Sequence, residues 1–175
     1  FKLLVAMTGL ENKVLTENTE FFCPGTFTLG NALFHCWKKG GRGSVSLKRA
    51  IPESCDVFFY HTADLLGIDK IAEMANRFGL GVKLDIDIPG EKTGIIPTRA
   101  WKMATTGVPW QRGETISCGI GQSFVSVTPL QLATYTARLV TGRAVVPRLL
   151  RKQGLMTPSS PLPTGIDPEF ASLGV

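Results

Sequence analysis

No apolar run in this sequence approaches the roughly 20 residues that a membrane-spanning helix needs; Leu3 to Met7 is representative of the longest. Nothing here crosses a bilayer by itself. The densest basic cluster, Lys38, Lys39, Arg42, Lys48 and Arg49, lacks the interleaved aromatics on which bases stack, Trp37 being the single one among them. A nucleic-acid groove is therefore not expected, and the cluster reads as a solvated face. No repeat of fixed period appears, which sets aside solenoids and propellers. Gly119-Ile120-Gly121-Gln122 has neither a third glycine nor a following Lys-Ser or Lys-Thr, so it is not a phosphate-binding loop.

What is present suits one folded domain. The chain has 175 residues, 43% of them hydrophobic and 19% charged, with a formal charge of +5, and a chain of that size can bury a core without metals or crosslinks. Phe1 to Met7 reads as a helix with no capping residue ahead of it, and Ile166-Asp167-Pro168 reads as the start of a helix that is then abandoned. The expectation is an internal piece of a longer protein.

Helical signals dominate. After Asp56, the residues Phe59, Thr62, Ala63 and Leu66 fall at helical spacing, with Gly67 as the stop. A second helix is expected from about Asp69, with Ile71, Met74, Ala75 and Phe78 on one stripe and Gly79 past its end. Thr128-Pro129-Leu130-Gln131 is a capping box with Pro in the first turn, opening a helix that stops at Gly142. Gly and Pro mark loops at Pro24 to Gly30, Lys39 to Gly43, Leu80 to Pro97 and Gly119 to Ser123, and short extended pieces are expected at Val45 to Leu47 and Ala144 to Pro147. Residues 157–165, rich in Pro, form a loop or linker between a main portion, 1–156, and a truncated helix, 166–175.

Ser54-Cys55-Asp56 puts a hydroxyl, a thiol and a carboxylate at the start of an apolar helix. One reading is capping, since Ser or Asp there accepts from free backbone N–H groups. The other is a Ser-x-Asp element that relays a proton and orients a substrate amide.

The run from Cys36-Trp37-Lys38-Lys39-Gly40-Gly41-Arg42-Gly43 through Ser54-Cys55-Asp56 to Gly67-Ile68-Asp69 resembles the transpeptidase domain of class B penicillin-binding proteins, in their elongation-type branch. Pro89-Gly90-Glu91, Gly94, Pro97 to Lys102, Gly119 to Gln122 and Thr128 to Leu132 follow the same family in the same order. The resemblance covers nearly the whole chain, and it rests on the ordered set rather than on any one motif.

The resemblance implies an α+β fold of the β-lactamase/transpeptidase kind. This chain would form its mainly α, helical part, with the principal sheet largely missing. Three motifs meet in one cleft of that family: Ser-x-x-Lys, Ser-x-Asn or Ser-x-Asp, and Lys-Thr/Ser-Gly on a sheet edge. Phe1-Lys2 would be the end of Ser-x-x-Lys, making Lys2 the base for a serine lying ahead of residue 1. Ser54 would relay a proton, and Asp56, which many relatives replace by Asn, would hold the substrate backbone. Lys92-Thr93-Gly94 spells the third motif but is flanked by Pro89-Gly90 and Pro97, too tightly for a strand of the usual length of about five residues, so it reads as a surface loop.

The same resemblance implies a peptidoglycan D,D-transpeptidase that works through a serine acyl-enzyme and is acylated by β-lactams, with no cofactor required. Stem peptides would be its substrate and an elongation glycosyltransferase its partner, at the periplasmic face of the inner membrane. A β-lactam sensor, a serine β-lactamase and a non-catalytic helical interaction module stay open as alternatives. Cys23, Cys36 and Cys55 fall where relatives place zinc ligands, with Arg42 standing in for the matching His and His35 nearby. Zinc, a Cys23–Cys36 disulfide and free thiols are all open there. Cys118 reads as a small buried apolar residue. The family usually has Gly where this chain has Ser123.

Overall fold

The computed structural model describes residues 1–86 and 89–149. In chain order they form α1 (Lys2–Glu11), β1 (Glu20–Cys23), β2 (Thr26–Leu29), β3 (Ala32–His35), β4 (Gly43–Ser46), α2 (Leu47–Ala50), α3 (Asp56–Leu66), α4 (Ile68–Arg77), α5 (Arg99–Thr106), α6 (Arg112–Cys118) and α7 (Pro129–Thr141). The expected mainly α architecture is what these residues adopt, with two two-stranded antiparallel sheets, β1–β4 and β2–β3. None of the described helices is long and apolar enough to cross a membrane. The loop or linker expected over 157–165 and the truncated helix expected over 166–175 lie outside the described residues.

The chain divides into two compact units, Phe1–Met74 with Pro97–Val125, and Ala75–Ile96 with the chain from Ser126 onward. In the first, α3 is the central element. Its sequence is apolar on nearly every side, and Val57, Phe58, Phe59, Tyr60, Thr62, Ala63 and Leu66 are all buried. Helices α1, α2 and α6 and strands β1 and β2 pack on it. Phe58 sits edge-on to Phe21, ring centroids 5.0 Å apart, and to Phe59 at 5.5 Å. As its spacing predicted, α3 stops at Gly67, whose φ of +77° is a conformation glycine adopts without strain.

Just past the end of α6, Gly119 lies so close to α3 that a Cβ there would stand 2.3 Å from the Cβ of Ala63. Gly119→Ala should therefore lower stability by about 1–3 kcal/mol, the usual cost of overpacking. Denaturant titration checks this, and an unchanged midpoint would mean that the helices are not locked together there. Four positions later a non-glycine pays a conformational cost: Ser123, where the resemblance expects Gly, takes φ +62°.

β2 and β3 correct the expected loop over Pro24 to Gly30. Thr26-Phe27-Thr28-Leu29 is β-forming sequence, and it pairs with Ala32–His35 across the two-residue turn Gly30-Asn31. Gly30 supplies a positive φ, +56°, at the first turn position. Pro24, Gly25 and Gly30 punctuate the strand's ends, not its interior. The extended piece expected at Val45 to Leu47 is β4, shifted so that Leu47 opens α2; Ala144 to Pro147 carries no strand.

The expected stripe is buried, Ile71, Met74 and Ala75 on α4 and Phe78 just past its last residue. In the second unit the capping box is complete: the Gln131 N–H donates to Thr128 Oγ1 and the Thr128 N–H to Gln131 Oε1, each at 3.1 Å. Gln131 is fully buried and its Nε2 donates to the carbonyls of Val82 and Thr93, both at 2.7 Å. That pins Lys92-Thr93-Gly94 as a loop, with a single antiparallel bridge between Ile95 and Ser126 beside it.

Candidate active site

The stretch Ile51 to Ser54 is a tight turn between α2 and α3, closed by the Ser54 N–H donating to the Ile51 carbonyl and the Cys55 N–H to the Ala50 carbonyl. Ser54 has φ +49°, a left-handed conformation that costs a non-glycine residue roughly 1 kcal/mol or more. Such strain persists only where neighbours impose it. The capping reading of Ser54 and Asp56 does not hold: the N-cap of α3 is Cys55, with no side-chain cap bond. With its backbone turned left-handed, Ser54 directs its hydroxyl elsewhere.

That hydroxyl meets Lys2. Lys2 Nζ donates to Ser54 Oγ at 2.6 Å, to the Ser54 carbonyl at 2.9 Å and to Asp56 Oδ1 at 2.6 Å, so the three N–H groups of the ammonium have three acceptors. The Lys2 and Asp56 side chains are 20% and 11% exposed. The pair is largely desolvated yet keeps an opening to solvent. The same ammonium lies 5.9 Å from the centre of the Phe59 ring. The second carboxylate oxygen of Asp56 accepts the backbone N–H of Trp37 at 2.9 Å. Lys2, Ser54 and Asp56, named from the sequence, thus stand together. The packing of α1 on α3 brings them there across more than fifty residues.

Beside them lies the thiol cluster. Cys23, Cys36 and Cys55 are buried, their sulfurs within 4.8 Å of one another, and all four cysteines are free, so no Cys23–Cys36 disulfide exists. Burial acts to raise the Cys36 thiol, but the backbone N–H groups of Lys38, Asp56 and Val57 outweigh it and hold the thiol below its ordinary value. Burial, with the two neighbouring sulfurs, pushes Cys55 up to about 12. Cys118 is fully buried, as expected, and burial pushes it up to about 11. His35 is exposed and stands outside the thiol cluster.

Arg42 is where the structure departs most from the sequence reading. Lys38, Lys39, Lys48 and Arg49 are all exposed. The Arg42 side chain, however, is only 1% exposed. Its Nη1 donates to Cys36 Sγ at 3.1 Å, its Nε to Glu53 Oε2 at 3.0 Å and its Nη2 to the Glu53 carbonyl at 2.9 Å, while its Cζ lies over the Trp37 ring, 4.6 Å from the ring centre. Burial works against this cation, but the bond and the charge from Cys36 overcome it and raise its pKa. Trp37 in turn donates Nε1–H to the carbonyls of Glu53 and Ser54, at 3.2 and 3.0 Å. Sequence reading missed both supports. The only signal was their place in the run from Cys36 to Gly43.

A family model described as the penicillin binding protein transpeptidase domain matches residues 1–160. The chain belongs to that family. Among its relatives in the penicillin-binding protein transpeptidase family, peptidoglycan D,D-transpeptidase MrdA of Acinetobacter baumannii is 42% identical over 153 residues, 86% of this chain and 23% of that protein. MrdA of Haemophilus influenzae is 40% identical over 153 residues, 86% of this chain and 24% of its own. The chain thus spans about a quarter of the length of these curated relatives. Among solved structures, penicillin-binding protein 2 (PBP2) of Pseudomonas aeruginosa in complex with WCK 5153 superposes with a TM-score of 0.88 at 37% identity, covering 98% of this chain and 41% of that one. PBP2 of Helicobacter pylori in complex with MreC gives 0.90 at 32% identity, covering 98% and 32%.

Proposed function

We propose that this chain supplies the lysine base and the Ser-x-Asp element of a peptidoglycan D,D-transpeptidase, which crosslinks stem peptides through a serine ester and is acylated by β-lactams. The observation that carries the reading is the contact of Lys2 Nζ with both Ser54 Oγ and Asp56 Oδ1. In the role of base, Lys2 would take the proton of the nucleophilic serine expected three positions ahead of it as that oxygen attacks the stem-peptide carbonyl. Ser54, with one hydroxyl proton and two lone pairs, can pass that proton on to the departing amine. Asp56, one oxygen on Lys2 and the other on the Trp37 N–H, fixes the geometry of both and presents its edge to a substrate amide.

The synthase reading is preferred to the sensor, β-lactamase and interaction-module alternatives because the relatives around 40% identical are named D,D-transpeptidases. We further propose that the full-length protein works at the periplasmic face of the inner membrane, with a glycosyltransferase partner. One similar structure, 35% identical, describes coordination of polymerization and crosslinking by a peptidoglycan synthase complex. Zinc does not suit the thiol cluster. Three thiols would offer three of four tetrahedral positions, but the fixed cation of Arg42 already donates to Cys36 where a fourth ligand is needed. No step here runs through a metal.

The test is labelling of the full-length protein with a fluorescent penicillin. Wild type should take up one label, and Ser54→Ala should acylate about 10²-fold more slowly at unchanged folding, within the usual contribution of proton transfer. A folded wild-type protein that takes no label, or a Ser54→Ala variant acylating at the normal rate, defeats the assignment.

A further inference from the structure

We propose that Arg42 is a positioning residue for this site, holding the Glu53–Ser54 turn and Trp37 in the arrangement that aims Ser54 Oγ at Lys2. The inference rests on the acyl-transfer reading above and goes beyond it by naming what enforces the strained serine. A left-handed serine in a short turn relaxes unless its backbone is held from outside. The turn's own backbone hydrogen bonds, from the Glu53, Ser54 and Cys55 N–H groups to the Arg49, Ile51 and Ala50 carbonyls, tie it only to itself and to the preceding helix. Every other restraint on its carbonyls comes from Lys2, Trp37 or Arg42.

Trp37 cannot do this unaided. It is 65% exposed, so its ring orientation is not fixed by packing. One face is covered by the Arg42 guanidinium, and that stack keeps Nε1–H directed at the Glu53 and Ser54 carbonyls. Arg42 is immobile for its own reasons: its backbone N–H donates to the Cys23 carbonyl at 2.8 Å, and its fork is spent on Cys36 and twice on Glu53. A planar guanidinium can grip a carboxylate, a carbonyl and a sulfur while offering a flat face. An ammonium carries the charge without the fork or the face. The arginine therefore needs neither a metal nor a proton equilibrium to lock the turn.

The experiment is time-resolved acylation of the full-length protein by a fluorescent penicillin across a concentration series, which separates the limiting acylation rate from the affinity of the first complex and from the reactive fraction. Arg42→Gln and Arg42→Lys should each lower the limiting rate by 10- to 100-fold, as expected when a reacting group is displaced by about an ångström. The first-complex affinity and the reactive fraction should stay close to wild type. Trp37→Phe keeps a ring for the stack and loses the Nε1–H bonds; it should slow the same step by several-fold, and it carries the test if the Arg42 variants do not fold. Wild-type rate should survive exhaustive chelation.

A smaller reactive fraction acylating at the wild-type rate would mean that Arg42 is only part of the fold, and full activity in Arg42→Lys that charge alone suffices. Either overturns the proposal, as does activity lost to chelator and restored by zinc. If wild type itself takes no label, the functional reading falls and this inference with it. Labelled wild type with equally fast Arg42 and Trp37 variants defeats only the inference.

Discussion

Lys2→Met should leave a folded protein whose acylation by penicillin is slower by about 10³-fold, the middle of the range for a positioned base and roughly 4 kcal/mol of barrier. Methionine keeps the unbranched stem beside Phe59, but nothing is left to accept the serine proton. Removing the ammonium also deprives Asp56 and Ser54 of a partner, so the methionine variant alone confounds base with support. Lys2→Arg separates them. Arginine can still pair with Asp56, yet it stays protonated at any working pH and cannot accept a proton. Thermal unfolding should place Lys2→Arg near wild type while its acylation is nearly as slow as that of Lys2→Met. A fast Lys2→Arg enzyme would show that Lys2 serves as a structural cation and that the base is elsewhere.

The largest effect on stability is expected from Phe58→Ala. Phe58 is fully buried in the central helix against Phe21 and Phe59. Removing such a ring costs about 3–5 kcal/mol, part lost burial and part cavity. That is a large share of the 5–15 kcal/mol by which domains are usually stable. Because α3 carries Asp56 in its first turn, acylation should fail together with folding rather than before it. Denaturant unfolding of Phe58→Ala and the larger-volume Phe58→Leu checks this, the leucine losing clearly less. Equal losses in both would mean that ring packing, rather than filled volume, is what the core requires.

Helix starts and stops were legible because their chemistry is local. The Thr128–Gln131 box and the glycines at 67 and 142 act within one turn, and the sequence states them outright. Strands β2 and β3 were not, since a four-residue strand becomes one only when a partner pairs with it. For the Ser54–Asp56 pair the sequence left capping and proton relay both open, because capping is the default for such residues, and only the left-handed φ of Ser54 and the approach of Lys2 show that their oxygens are used elsewhere.

From the residues alone came the mainly helical class and the loop character of Lys92 to Gly94, while Lys2, Ser54 and Asp56 were named through the family resemblance that the order of the motifs carries. These follow from short-range rules or from residue types in a fixed order. The tertiary structure decided that Lys2 reaches Ser54 across a separation of 52 positions, that the cysteines are free thiols, and that Arg42 leaves the basic face to enter the thiol cluster. Each depends on how distant segments pack. The direction of a charged side chain is set by whether a desolvated partner set awaits it, which only the folded chain provides.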